Sequence, residues 1–113
     1  MAADLMVVIR FKDMANSAET REHLEQRCHH LAEEFPETQH YELTLSPDSG
    51  EISAHANARG RGVDCVAHAS AAELRQAGDR ALEKLERELR KVHDKRIFAP
   101  RREAQRAQNK RQV

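Results

Sequence analysis

The stretch HYELTLSPDSGEISAHANARGRGVDCVAHAS, residues 40–70, contains three runs in which apolar and polar residues alternate. Alternation with a period of two is typical of strands that bury one face of a sheet. SPDSG at 46–50 and GRG at 60–62 supply turn residues between the runs. The stretch therefore predicts three consecutive strands joined by two tight turns. The apolar face of these strands carries Tyr41, Leu43, Leu45, Ile52, Ala54, Ala56, Ala58, Val63, Cys65, Ala67 and Ala69.

The N-terminal flank predicts one more strand and a helix. LMVVIRFK at 5–12 is rich in β-branched residues and indicates a strand. Asn16 or Ser17 offers an N-cap for a helix that runs to about Phe35 and ends before Pro36. The predicted core positions of this helix are Leu24, Cys28, Leu31 and Phe35.

The C-terminal flank predicts a second, longer helix that begins near Ala71 and runs to about Arg96. The order is then β-α-β-β-β-α, and residues 1–98 form one two-layer α+β domain, similar to a double-stranded-RNA-binding domain. The alanines of the sheet leave room for both helices on one face of four strands, while the other face stays polar. The apolar positions of the second helix are Leu74, Ala77, Ala81, Leu85, Leu89 and Val92.

The C-terminal segment, APRREAQRAQNKRQV at 99–113, has a different character. It contains five basic residues and one acidic residue, and it lacks apolar periodicity. This composition predicts disorder in isolation. Such a segment either stays solvated without a role or becomes ordered on RNA.

Charge is unevenly distributed along the chain although the formal net charge is +0. Residues 1–74 contain 6 Lys and Arg against 13 Asp and Glu, a net charge of −7. Residues 75–113 contain 13 Lys and Arg against 6 Asp and Glu, a net charge of +7. This separation indicates an electrostatically steered partner, unless the faces are merely solvated.

The second helix concentrates basic residues on one side. In RALEKLERELRKVHDKR, residues 80–96, five cations follow 4-3-4-4 spacing and share roughly one quarter of the helix circumference. Like charges at this spacing destabilise an isolated helix by about 0.2–0.5 kcal/mol per pair. Because their alignment has this cost, it indicates a surface that binds a polyanion. This basic ridge consists of Arg80, Lys84, Arg87, Lys91 and Lys95.

Residues that carry catalytic or metal chemistry do not form a recognisable pattern. Cys28 and Cys65 occupy apolar-periodic positions, which predicts buried free thiols in a reducing cytoplasm. The neighbours His29 and His30 point to different sides of a helix, and no His, Cys and acid set has ligand spacing. We expect no enzyme activity, no cofactor and no metal. No run approaches the roughly 20 apolar residues of a membrane span, and the N-terminus lacks a signal-peptide pattern.

The chain resembles the ribosome hibernation-promoting factors and ribosome-associated inhibitors, also called sigma-54 modulation proteins. The resemblance covers roughly residues 6–96 and is strongest at KLERELRK, Lys84–Lys91. Arg21, Arg27 and Leu31 also match the family spacing on the first helix. The element order predicted above agrees with that of the family.

The resemblance implies a cytoplasmic factor of the short type that silences ribosomes in stress or stationary phase. Such proteins bind the small subunit at the decoding region, in the channel for messenger RNA and for A- and P-site transfer RNA. The resemblance implies no membrane partner and no small-molecule substrate, and we expect a monomer. With the first cation of the ridge included, the expected RNA-binding residues are Arg80, Lys84, Arg87, Arg90, Lys91, Lys95, Arg21 and Arg27.

Three positions depart from the family pattern. In ELRQAGD, Glu73–Asp79, Arg75 stands at a tyrosine position and Gly78 at an aliphatic one. His30 stands where the family commonly has lysine, so the first helix should bind RNA less strongly, with binding increasing below about pH 6.5.

Two other functions fit the same features. A generic double-stranded-RNA-binding module would bind isolated duplexes, whereas a hibernation factor should prefer assembled small subunits. A protein-interaction domain could instead use the basic helix to bind an acidic partner.

Overall fold

The computed structural model describes residues 5–112, and for residues 95–112 it describes the backbone alone. The predicted order β-α-β-β-β-α is confirmed. The elements are β1 Met6–Phe11, α1 Ala18–Glu34, β2 Thr38–Asp48, β3 Glu51–Gly60, β4 Val63–Ala71 and α2 Leu74–Gln112.

The four strands form one mixed sheet in the order β1-β2-β3-β4. β1 is parallel to β2, because α1 carries the chain back across the sheet before β2 begins. β2, β3 and β4 pair antiparallel through the two predicted turns. The register aligns Leu43 with Ala56 and Ala56 with Ala67, so the predicted apolar positions share one face.

The core lies between that face and the two helices, as predicted. Leu24 and Cys28 of α1 and Leu85 of α2 are at most 1% exposed. The small alanines of β3 and β4 allow α2 to approach the sheet closely. Leu82 is also buried, although it lies outside the predicted stripe of α2.

The two helices approach each other closely at Gly78. A Cβ atom at this position would lie 2.7 Å from Cδ2 of Leu24, closer than van der Waals contact permits. The glycine that departs from the family pattern therefore makes room for a fully buried leucine of α1.

At the start of α1, Ser17 is the N-cap, and its Oγ accepts a hydrogen bond of 3.2 Å from the Thr20 amide.

The backbone of α2 continues to Gln112, so the predicted end near Arg96 is wrong. Residues 101–112 are rich in Arg, Ala and Gln, which have high helix propensity, but they lack the apolar periodicity that would have predicted a helix. The side chains of the C-terminal segment lie outside the described residues, and its disorder in isolation stays a prediction. Within the part of the chain that is described, neither helix contains a stretch both long and apolar enough to cross a bilayer.

Candidate nucleic-acid interface

The basic ridge lies on the solvent side of α2, beside the edge strand β4. Arg80, Lys84, Arg87 and Lys91 are exposed, whereas the side chain of Lys95 lies outside the described residues. Lys84, Arg87 and Lys91 line a shallow groove whose other wall is formed by Val66 and Ala67 of β4. We call this depression, which Glu88 also lines, the edge groove.

The first two cations of the ridge are held by β4. The Arg80 guanidinium donates a hydrogen bond of 3.0 Å to the main-chain oxygen of Ser70. The Lys84 ammonium donates one of 2.9 Å to the main-chain oxygen of His68. β4 is the last strand of the sheet, and within residues 5–112 no further strand pairs with its outer edge. The side chains therefore cover part of that edge and are themselves held in position.

The next two cations are less constrained. Lys91 Nζ lies 3.3 Å from the carboxylate of Glu88, an exposed pair one helical turn apart. Such a pair contributes little in water and exchanges readily for another anion. Arg87 has no hydrogen-bond or ion-pair partner among the residues whose side chains are described. Of the four ridge cations whose side chains are described, the Arg87 guanidinium is the most available to a phosphate.

Arg90 lies on a different side of α2 from the ridge. Its guanidinium donates to Glu34 of α1 at 2.9 Å and to Glu86 at 2.8 Å, and it lies over the Phe35 ring at 5.5 Å. The hydrogen bonds that Arg90 donates to Glu34 and then to Glu86 raise the pKa of the Arg90 guanidinium. Two carboxylates compensate the positive charge of Arg90. Its main role in the fold is therefore to link α1 to α2.

The two predicted RNA-binding residues of α1 also make internal contacts. Arg21 donates to the main-chain oxygen of Ile9 at 2.7 Å and lies over the Phe11 ring. Arg27 donates to Asp79 Oδ1 of α2 at 2.9 Å. Arg21 therefore links α1 to β1, and Arg27 links α1 to α2. Neither residue is part of the basic ridge.

Asp79 forms a link between the helices that the sequence did not reveal. The same Oδ1 atom that accepts from Arg27 lies 2.8 Å from His23 Nε2, and Arg75 approaches the other ring nitrogen at 3.2 Å. Arg75, which also departs from the family pattern, therefore contacts His23 of α1. These partners lie more than fifty residues apart, so no local spacing could have predicted the contact.

The polar face of the sheet carries a histidine pair next to the edge groove. His55 and His68 are cross-strand partners, and their ring centroids are 4.4 Å apart. The His68 ring is held by a 2.9 Å hydrogen bond to Ser53 Oγ. The rings border a depression that we call the histidine hollow. It is lined by Glu42, Thr44, His55, Ala56, Asn57, Val66, Ala67 and His68.

The two thiols are buried and free, as predicted. Burial raises the pKa of Cys28 from 9.0 to about 12, more than the nearby Arg27 lowers it. Burial also raises the pKa of Cys65. Both groups are therefore protonated at neutral pH, which opposes a nucleophilic role. Across the residues described, no three His, Cys, Asp or Glu side chains are arranged to hold a metal ion.

Comparison with protein families identifies the chain. A model of the family described as Sigma 54 modulation protein / S30EA ribosomal protein matches residues 7–97, which are most of this chain. The chain belongs to this family. Membership makes the protein a ribosome-associated factor and confirms the resemblance seen in the sequence.

Two solved structures share the fold. A ribosomal subunit interface protein from Coxiella burnetii superposes with a TM-score of 0.73 at 19% identity, over 80% of this chain and 99% of that one. The N-terminal domain of Protein Y from Thermus thermophilus superposes with a TM-score of 0.67 at 19% identity, over 75% of this chain and 94% of that one. No match was found among curated protein sequences. At this identity, the two likenesses support the α+β fold and no finer property.

Proposed function

We propose that this protein binds the small ribosomal subunit at the decoding region and holds ribosomes inactive in stress or stationary phase. It does so in the cytoplasm, as a monomer, without catalysing a reaction and without a cofactor. Its contacts are made to ribosomal RNA by the basic ridge of α2, and occupation of the decoding region excludes messenger and transfer RNA.

The observation that carries this proposal is the alignment of exposed cations along α2 beside β4. Arg80 and Lys84 are held by main-chain carbonyl groups, and Arg87 is free of partners among the described side chains. Because the first two side chains are already ordered, less conformational entropy is lost when they meet phosphates. Contacts of this kind recognise the backbone and shape of folded RNA and need no base code.

The partners of the other predicted residues support a division of roles. Arg21, Arg27 and Arg90 have main-chain or carboxylate partners within the fold, so we assign them to the support of the two helices. Any RNA contact they make is secondary to the ridge. Lys95 continues the spacing of the ridge by one helical turn and is assigned to the same surface.

Sucrose-gradient sedimentation with purified ribosomal subunits tests the proposal. We expect the protein to sediment with the small subunit at low salt and to inhibit cell-free translation. Release of about three or four phosphate counterions should make binding weaken steeply as the salt concentration rises. Protein that stays at the top of a low-salt gradient would contradict the proposal. A preference for isolated RNA duplexes over subunits would favour the generic RNA-binding module.

A further inference from the structure

The edge groove and the histidine hollow meet at the same two residues of β4. Val66 and Ala67 line both depressions. Val66 is 69% exposed, and Met6 is the other large hydrophobic side chain that is exposed in the described part of the chain. A basic depression and an aromatic one are therefore connected over an exposed apolar side chain at the edge of the sheet.

The two depressions offer different chemistry. On the α2 side, Lys84, Arg87 and Lys91 provide positive charge, of which Glu88 compensates one unit. On the open face of the sheet, the His55 and His68 rings provide π-surfaces. The contact between Ser53 and His68 restrains one of these rings before any ligand binds.

The histidine hollow also provides hydrogen-bonding groups around the rings. Asn57 directs its amide nitrogen to Asp64 at 3.1 Å and to the Cys65 oxygen at 2.9 Å, so its amide oxygen remains an acceptor. Thr44 lines the same hollow. A flat heterocycle with polar edges would find both a stacking surface and edge contacts here.

We propose that an unpaired RNA nucleotide binds across the edge of β4. Its phosphates lie in the edge groove against Arg87 and its neighbours, and its base passes over Val66 onto the His55 and His68 rings. The proposal rests on the function proposed above and specifies the RNA class that this surface takes. A base inside a duplex cannot reach the hollow, because its faces are covered by stacked neighbours and its pairing edge is occupied.

Charge complementarity favours RNA over an acidic peptide at this surface. A peptide could satisfy the cations of the edge groove, but it would leave the rings and hydrogen-bonding groups of the hollow without a matching partner. A nucleotide supplies an anion and an aromatic ring together. Lys84 also occupies the main-chain oxygen of His68, which an added peptide strand would need for pairing.

Fluorescence anisotropy with a labelled short single-stranded oligoadenylate, and with a duplex RNA of equal length, tests the inference. We expect the wild-type protein to prefer the single strand. His55→Thr and Val66→Thr introduce a residue with high β-strand propensity, so the sheet should be retained. His55→Thr should weaken binding of the single-stranded RNA about tenfold. Neither variant should change the salt dependence, whereas Arg87→Gln should make the slope shallower by about one unit.

Met6→Thr is the matched control, because Met6 is the other exposed large hydrophobic residue and lies on the opposite edge strand. Its affinity for the oligoadenylate should equal that of the wild type. Unchanged binding by both His55→Thr and Val66→Thr would overturn the inference, as would equal losses in Met6→Thr. Tighter binding of duplex RNA or of a labelled oligoglutamate peptide would overturn it too.

Sedimentation of the same variants with small subunits separates this inference from the proposed function. The nucleotide site alone would be refuted if the wild-type protein sediments with subunits while His55→Thr and Val66→Thr bind oligoadenylate as tightly as the wild type does. Wild-type protein that does not sediment with subunits would refute the proposed function. Circular dichroism melting of each variant verifies that the fold is retained.

Discussion

The ammonium group of Lys84 donates a 2.9 Å hydrogen bond to the main-chain oxygen of His68. The contact joins the basic ridge of α2 to the exposed edge of the sheet. An uncovered edge can pair with another chain, and lysine side chains are a common protection against this. Lys84 therefore covers the edge and presents positive charge beside the edge groove.

The basic ridge should control affinity for the small subunit. Simultaneous replacement of Lys84, Arg87 and Lys91 by glutamine removes three candidate phosphate contacts and retains good helix formers. We expect a sharp loss of subunit binding in sedimentation and a salt slope that is shallower by about three units. The free energy of unfolding should change by less than about 1 kcal/mol, because the lost contacts are exposed.

Arg10→Gln with Lys12→Gln is the control for that experiment. Arg10 lies on β1 and Lys12 directly after it, at the sheet edge opposite β4. This pair of changes should reduce subunit binding much less than the ridge variant. Equal losses would mean that diffuse charge drives binding and that the ridge has no special role.

The C-terminal segment should affect binding more than stability. Among the side chains that the structure describes, Val92 is the last of α2 that packs against the core, so deletion of residues 99–113 removes no described core contact. We expect a thermal midpoint close to that of the full chain and weaker subunit binding, because five basic residues are lost. Unaltered sedimentation across the salt range would indicate a segment without a role in binding.

Gly78 should resist replacement by alanine. Alanine improves helix propensity by about 1 kcal/mol, but its Cβ would lie 2.7 Å from the fully buried Leu24 side chain. Overpacking of this kind costs about 1–3 kcal/mol, so we expect Gly78→Ala to lower the free energy of unfolding in urea titrations.

A double-mutant cycle tests the cause of that loss. Combining Gly78→Ala with Leu24→Ala should cost less than the sum of the two single changes, because the smaller side chain leaves space for the new Cβ. Additive effects, or a stabilising Gly78→Ala, would show that the helices separate without cost at this point.

Cys28 should make the fold sensitive to alkali. Burial raises its pKa from 9.0 to about 12, so the folded thiol holds its proton where the unfolded one releases it. The resulting stabilisation is fully present below about pH 9 and is lost as the pH rises toward 12, with a slope of up to about 1.4 kcal/mol per pH unit. Urea titrations between pH 8 and 10.5 should show a flatter decline for Cys28→Ala than for the wild type. Parallel declines would exclude this thiol as the cause.

Local patterns in the sequence predicted most of the fold. Alternation in residues 40–70 predicted β2 to β4, and the spacing of Leu24, Cys28 and Leu31 predicted the buried side of α1. The spacing of the basic ridge likewise predicted that Lys84, Arg87 and Lys91 of α2 lie together. These features depend on the geometry of one strand or one helix, which neighbouring residues specify almost alone.

Contacts between elements assigned roles that these patterns could not distinguish. Arg87 and Arg90 are three residues apart in the same basic helix, yet Arg87 lines the edge groove while Arg90 binds Glu34 of α1. Arg27 matches the family spacing but is paired with Asp79. A guanidinium group reaches whichever carboxylate the packing of the helices brings near. The distance between such a guanidinium group and a carboxylate depends on the close approach of the two helices at Gly78. It also depends on how both helices pack against a sheet of small side chains. This packing is defined only when the whole domain folds.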